Sequence, residues 1–210
     1  PVAVIVLPAV TEWDRYLNAP PEELEAFVRR RLPHSDEAEI QAALTKLPAH
    51  RKAEAQRVGD EEALAAEELL TYVEKITGAR LDVVRWREGD ALPTGPRIFV
   101  GAELARKAGF TADLEKLAGD GILLKRADNL LVLAGRRARG TLYAVYDFLE
   151  SLGCRWIMPG PFGEFCPRTA TLTTAVDKAE NPSHTARYWW ATYGHGTEYP
   201  RWTLRNKGNF

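Results

Sequence analysis

The heptapeptide G-R-R-A-R-G-T at residues 135–141 has the glycine spacing of a phosphate-binding loop, with three arginines beside a helix start. A loop that cradles nucleotide phosphates ends G-K-[S/T], because its lysine meets the β- and γ-phosphates. Here Thr141 follows Gly140 directly and the lysine is missing. The strand before Gly135 is also expected to belong to a hairpin, which is the wrong setting for such a loop. Arg136, Arg137 and Arg139 have the means to hold an anion at a helix N-terminus. The simpler reading is that Gly135 turns the chain, Gly140 lets a helix approach a sheet closely, and the arginines face solvent. On that reading it is not a nucleotide loop.

Acid–base chemistry needs paired carboxylates. The acidic clusters Asp36-Glu37 and Asp60-Glu61-Glu62 fall at expected helix starts, where capping and the helix dipole account for them. No catalytic residue is assigned. His34, His50, His184 and His195 lack ligand spacing, and Cys154 and Cys166 are not a zinc pair, so neither a metal nor a cofactor is expected. For the two cysteines, one bridge across a Pro/Gly-rich loop and two free thiols stay open.

The C-terminal stretch 181–210 has more chemical promise. Arg187, Arg201, Arg205 and Lys207 stand against Glu198 alone, a local charge of +3, among Tyr188, Trp189, Trp190, Tyr193, Tyr199 and Trp202. Aromatic rings beside Arg and His can stack on a sugar face and grip a carboxylate, or stack on bases. Packing of a buried strand is the competing reading. Arg187, Trp189, Trp190 and His195 are the candidate substrate-binding residues, with carbohydrate rather than nucleic acid as the ligand.

The elements around these residues follow from periodicity. Val2 to Leu7 reads as a buried strand ended by Pro8. Residues 11–58, punctuated by Pro20, Pro21, Pro33 and Pro48, read as two or three short helices. Asp60 opens an amphipathic helix whose apolar positions include Leu64, Leu69, Leu70, Val73 and Ile76, with Gly78 as its stop. "RLDVVRW" and "RIFVG" read as strands, and Ala102 to Lys107 as a weak helix. "GILLKRADNLLVLAG" reads as a hairpin turning at Asp128-Asn129. A helix from Arg139 to Leu152 puts Leu142, Val145, Tyr146 and Leu149 on one face and stops at Gly153. A loop rich in proline, glycine and aromatics follows, ending in a short alternating strand. Trp156, in that loop, is expected to plug the core. The expected fold is α/β: a small mixed sheet with helices packed on one side.

Two strings carry a family likeness. "AAEELLTYVEKITGARLDVV" and "GRRARGTLYAVYDFLESLGCRWIMPGPFGEFCP" resemble the N-terminal domain of alpha-glucuronidase-like bacterial glycoside hydrolases. The closest likeness is to the branch whose following domain is of unknown function. The small α/β domain before the hexosaminidase barrel is similar. The likeness spans roughly residues 60–210 with the strand Val2 to Leu7, and Leu152 to Gly160 is its most specific part. Residues 11–58 depart from it as a helical insertion. The resemblance implies an α/β domain over 1–180 and, over 181–210, the start of a catalytic (β/α) barrel, with Pro182, Arg187 and Tyr188 to Trp190 in the family's order. A whole barrel needs ~250 residues, so the chain is expected to be a fragment of a carbohydrate-active hydrolase, inactive alone. Such enzymes need two carboxylates, which the family carries on later strands. The expected role is that of a non-catalytic accessory domain whose partner is its own downstream catalytic domain. A free-standing interaction module is the alternative. A periplasmic or extracellular location is what the likeness favours.

Composition fits these expectations. The chain has 210 residues, 45% hydrophobic and 27% charged, enough to bury a core. Its net charge of −1 offers no general attraction to nucleic acid or anionic membrane. No apolar run approaches the ~20 residues of a membrane span. No targeting segment is expected at the start, "PVAVIVL", which lacks an initiator Met and leaves the compartment open.

Overall fold

The structure, a computed structural model, describes residues 2–11, 14–15, 18–58, 60–187 and 198–209. Its centre is a six-stranded mixed sheet in the order β2-β1-β3-β5-β4-β8. The strands of its parallel half are β1 (Val4–Pro8), β2 (Asp82–Trp86), β3 (Arg97–Val100) and β5 (Leu130–Gly135). Strand β4 (Ile122–Ala127) runs antiparallel to β5, and β8 (Lys178–Glu180) antiparallel to β4. Register follows the side-chain alternation. Ile5 lies beside Ile98 and Val6 beside Phe99, which in turn meets Val132.

Both faces of the central strands β1, β3 and β5 are buried. Ile5, Leu7, Ile98, Val100, Leu131 and Leu133 point to a core shared with α3 (Glu61–Thr77) and α6 (Ala138–Ser151). Val6, Phe99, Leu123 and Val132 point the other way, to α4 (Ala102–Lys107) and α5 (Thr111–Glu115). The expectation of helices on one side is corrected here: it describes the two long helices only. Strands of a parallel sheet read as continuous apolar runs because both faces need cover, and Leu104, Ala105 and Leu114 supply the second cover. Ala102–Lys107 forms the helix read from its sequence, but helices of six and five residues carry too little apolar periodicity to show which face of the sheet they cover.

The strong local signals hold. The Asp60 side chain accepts the Glu62 and Ala63 N–H groups at the start of α3, and Gly78 closes it with φ +75°. Asp128, with φ +45°, turns the β4–β5 hairpin between the paired Ala127 and Leu130. Leu142, Val145, Tyr146 and Leu149 are all buried along α6.

Two readings shift. Pro48 does not break its helix but sits inside α2 (Glu37–Val58), on an exposed position where the loss of one N–H bond is local. The short strand expected after the Pro/Gly-rich loop forms further on, at Lys178–Glu180. Helices α1 (Pro21–Arg31) and α2 pack on one another and bury Val28 and Ile40 outside both sheet cores. The barrel strand expected at Tyr188 to Trp190 lies outside the described residues. Among the described residues, no helix is long and apolar enough to cross a membrane.

The glycines at 135 and 140 explain how α6 meets the sheet. A Cβ on Gly135 would stand 2.4 Å from the Gly140 Cα, and one on Gly140 would stand 2.4 Å from the Gly121 carbonyl oxygen. Thr141 Oγ1 accepts the Gly135 N–H at 3.1 Å and ties the strand end to the helix. The residues with phosphate-loop spacing therefore join helix to sheet. Because backbone atoms cannot swing aside, Gly140→Ala is expected to destabilise the domain by about 1–3 kcal/mol in urea unfolding. An unchanged midpoint would show that α6 can move outward freely.

Candidate functional site

After α6 the chain makes a small hairpin, β6 (Arg155–Trp156) with β7 (Glu164–Phe165), joined by a 3-10 turn at Pro161–Gly163. Gly163 is required there, since a Cβ would come within 2.2 Å of the Met158 carbonyl oxygen. The Ile157 N–H donates to the Gly163 carbonyl at 2.8 Å and closes the loop. Its apolar side chains point outward: Phe162 is 98% exposed, Ile157 76%, Phe165 58% and Met158 53%.

At the root of the hairpin lies Trp156, buried as a core plug. Its indole N–H donates to the Tyr72 hydroxyl at 2.6 Å, and its ring meets Tyr72 edge to face at 5.2 Å. The Tyr72 hydroxyl and the Lys75 ammonium both donate to Glu164. Burial and the Glu164 carboxylate push the Tyr72 phenol well up, so it stays protonated and remains a donor. Burial alone would also push Glu164 up. The hydrogen bonds from Lys75 and Tyr72, with Arg205 nearby, outweigh it and hold the carboxyl below its ordinary 4.5.

The tail closes over this network. Helix α7 (Glu198–Arg205) brings Arg205 onto the buried Glu68, with Nε and Nη2 donating to its two oxygens at 2.9 and 3.1 Å. Arg201 adds a third bond to Glu68 at 3.1 Å. The Trp202 indole N–H and the Asn206 amide both donate to the Trp156 carbonyl, at 2.9 and 3.1 Å. Further along, the Tyr143 hydroxyl donates to the Gly208 carbonyl at 2.6 Å, and Lys207 reaches Asp147 at 3.1 Å and also Glu150. Residues 183–187 and 198–209 are thereby anchored to the domain. An arginine fork on a buried carboxylate and two bonds to the Trp156 carbonyl hold the tail down.

Of the four candidate substrate-binding residues, the structure describes Arg187. Trp189, Trp190 and His195 lie outside the described residues. Arg187 borders a cleft of about 220 Å³ with Asp120, Tyr143, Asp147 and Lys207. Its guanidinium donates to Asp120 at 2.7 Å, to the His184 carbonyl at 2.6 Å and to the Lys207 carbonyl at 2.8 Å. Those bonds tie the two tail segments together. The residues missed in the sequence were Glu68, Glu164 and the outward side chains of the hairpin. Glu68 had one signal: a charge on the apolar stripe of α3, between Ala65 and Tyr72. Its partner stands 137 positions away.

The open question of the cysteines also gains geometry. Cys154 and Cys166 flank the paired residues Arg155 and Phe165, with their sulfurs 3.7 Å apart and both thiols free. Burial pushes both thiols above their ordinary range, so they oxidise slowly. Incubation with oxidised glutathione is expected to form the Cys154–Cys166 bond, each molecule losing two hydrogens as the glutathione disulfide becomes two thiols. Intact mass would report the bond, and denaturant unfolding a gain of ~2–3 kcal/mol for so short a loop. A mixed disulfide that never closes would show that the backbone holds the pair apart.

Glu164 makes a second prediction. Its folded-state pKa lies below the unfolded value, so it stabilises the fold above about pH 4.5 and loses that contribution as pH falls through the folded value. The melting temperature of Glu164→Gln should fall short of wild type at neutral pH, with the gap closing as pH falls below 4.5. A gap of constant size across that range would assign the effect to packing instead of charge.

The chain matches no protein-family model and has no match among curated proteins.

Proposed function

We propose that this chain is a non-catalytic accessory α/β domain of a carbohydrate-active glycoside hydrolase, packing against the catalytic domain of the same polypeptide. The observation that carries this reading is the hairpin of residues 155–165. Ile157, Met158, Phe162 and Phe165 stand exposed on one short loop whose turn is fixed by the Ile157–Gly163 bond and the close approach at Gly163. A clustered apolar surface on a rigid loop marks a contact made with another protein surface. The tail is tied to the root of the same hairpin through the Trp156 carbonyl, which favours a partner continuous with the chain over a diffusing one. The "LGCRW" string that carries the family likeness runs into this hairpin. A saccharide-lining role for Trp189, Trp190 and His195 belongs to the same proposal.

The test uses the product of the full reading frame. In that protein, Ile157→Ser with Phe162→Ser is expected to split one cooperative melting transition into two in calorimetry. Hydrolysis across a panel of aryl glycosides should persist at a temperature below both transitions. A full-length product that hydrolyses no glycoside sinks the enzyme part of the reading. If the double variant instead dissolves a self-associated species in sedimentation and leaves melting intact, the free-standing interaction module is the better account.

A further inference from the structure

The strand order 2-1-3-5 has a reversal at its centre. The chain leaving β1 leads to α3 on one face of the sheet, whereas the chain leaving β3 enters α4 on the other. Between two such departures, an open parallel sheet leaves a crevice at the carboxyl ends of its strands, and ligands of such sheets bind there. This protein has that crevice: a cavity of about 310 Å³ floored by Pro8 and Ala102. Its walls carry Arg15, Arg106, Arg136 and Arg137 against Glu62 and Glu103, four cations to two carboxylates.

Three local features keep it open and charged. Gly101 follows β3 at φ +112°, a backbone conformation that favours glycine, and a Cβ there would come 2.9 Å from Glu62 Oε1 and 3.4 Å from Pro8. Arg15 reaches across from the segment after β1 to pair with Glu103 on α4 and spans one rim. Arg136 and Arg137 arrive from the end of β5, where the first turn of α6 has neither a side-chain cap nor an acidic residue. Arg136 and Arg137 are exposed, as the sequence reading has them, and the topology gathers them with Arg15 and Arg106.

We infer that this crevice binds a small phosphorylated polyol. Guanidinium forks match the paired oxygens of a phosphate, and carboxylates beside them are acceptors for hydroxyl groups. The volume stands at the small end of ligand pockets, about 300–1,000 Å³, which suits a sugar phosphate and not a dinucleotide. The inference is independent of the accessory-domain reading, since it concerns the opposite end of α6 from the hairpin.

The test is calorimetric titration of the full chain at low ionic strength with glucose 6-phosphate, inorganic phosphate and glucose. Glucose 6-phosphate should bind with a Kd below about 1 mM, compete with inorganic phosphate, and weaken as salt rises; glucose should not bind. Arg106→Ser with Arg136→Ser should weaken binding about tenfold or more while unliganded melting stays at the wild-type value. If that double variant folds poorly, Arg106→Ser alone, at an exposed position on α4, should still weaken it several-fold. Absence of saturable binding by either phosphate probe overturns the inference. So does equal binding by the folded variants, or by glucose.

Discussion

Gly135 and Gly140 let the backbones of β5 and α6 lie closer than a Cβ at either position would allow. The packing of one face of the sheet is built on the position this gives α6. Seated this close, α6 buries Leu142, Val145, Tyr146 and Leu149 against the sheet and lies beside α3. The outer surfaces of α3 and α6 together form the platform on which the C-terminal segment rests. Moving α6 away would separate Tyr143 from Gly208.

The platform is held to the tail by charge as well as by rings. Glu68 is buried, and a buried carboxylate is tolerated only when its lone pairs are met. Arg205 meets them through a fork and Arg201 through a third bond, while the Arg205 guanidinium also lies over the Tyr72 ring at 5.4 Å. Such a pair contributes more to choosing one docking position than to net stability, because desolvation offsets much of the attraction. Removing one partner is costly for the same reason. Specific docking matters here because the tail crosses two helices from different parts of the chain.

The two ends of α6 then have different characters. Its C-terminal end runs into the hairpin that displays Ile157 and Phe162, an apolar surface suited to a neighbouring domain. Its N-terminal end borders the carboxyl edge of the parallel strands, where four arginines surround a crevice. On the two proposals, the apolar loop meets the neighbouring domain while the charged crevice at the other end stays open.

How much of this was legible in the sequence depends on distance along the chain. The amphipathic stripe of α3, its Asp60 cap and Gly78 stop, the turn at Asp128-Asn129 and the helix after Gly135 are local patterns. Neighbouring residues impose them through backbone geometry and periodicity, so the sequence by itself determined these elements, the α/β class and the packing role of Gly140. It did not determine that short helices cover the second face, since too few residues carry that signal. Nor did it reveal the bonds of Glu68 to Arg205 or Tyr143 to Gly208, or the grouping of Arg15 with Arg136. Those pairings join residues far apart in the chain, and only the order of strands and the seating of α6 decide which side chains meet.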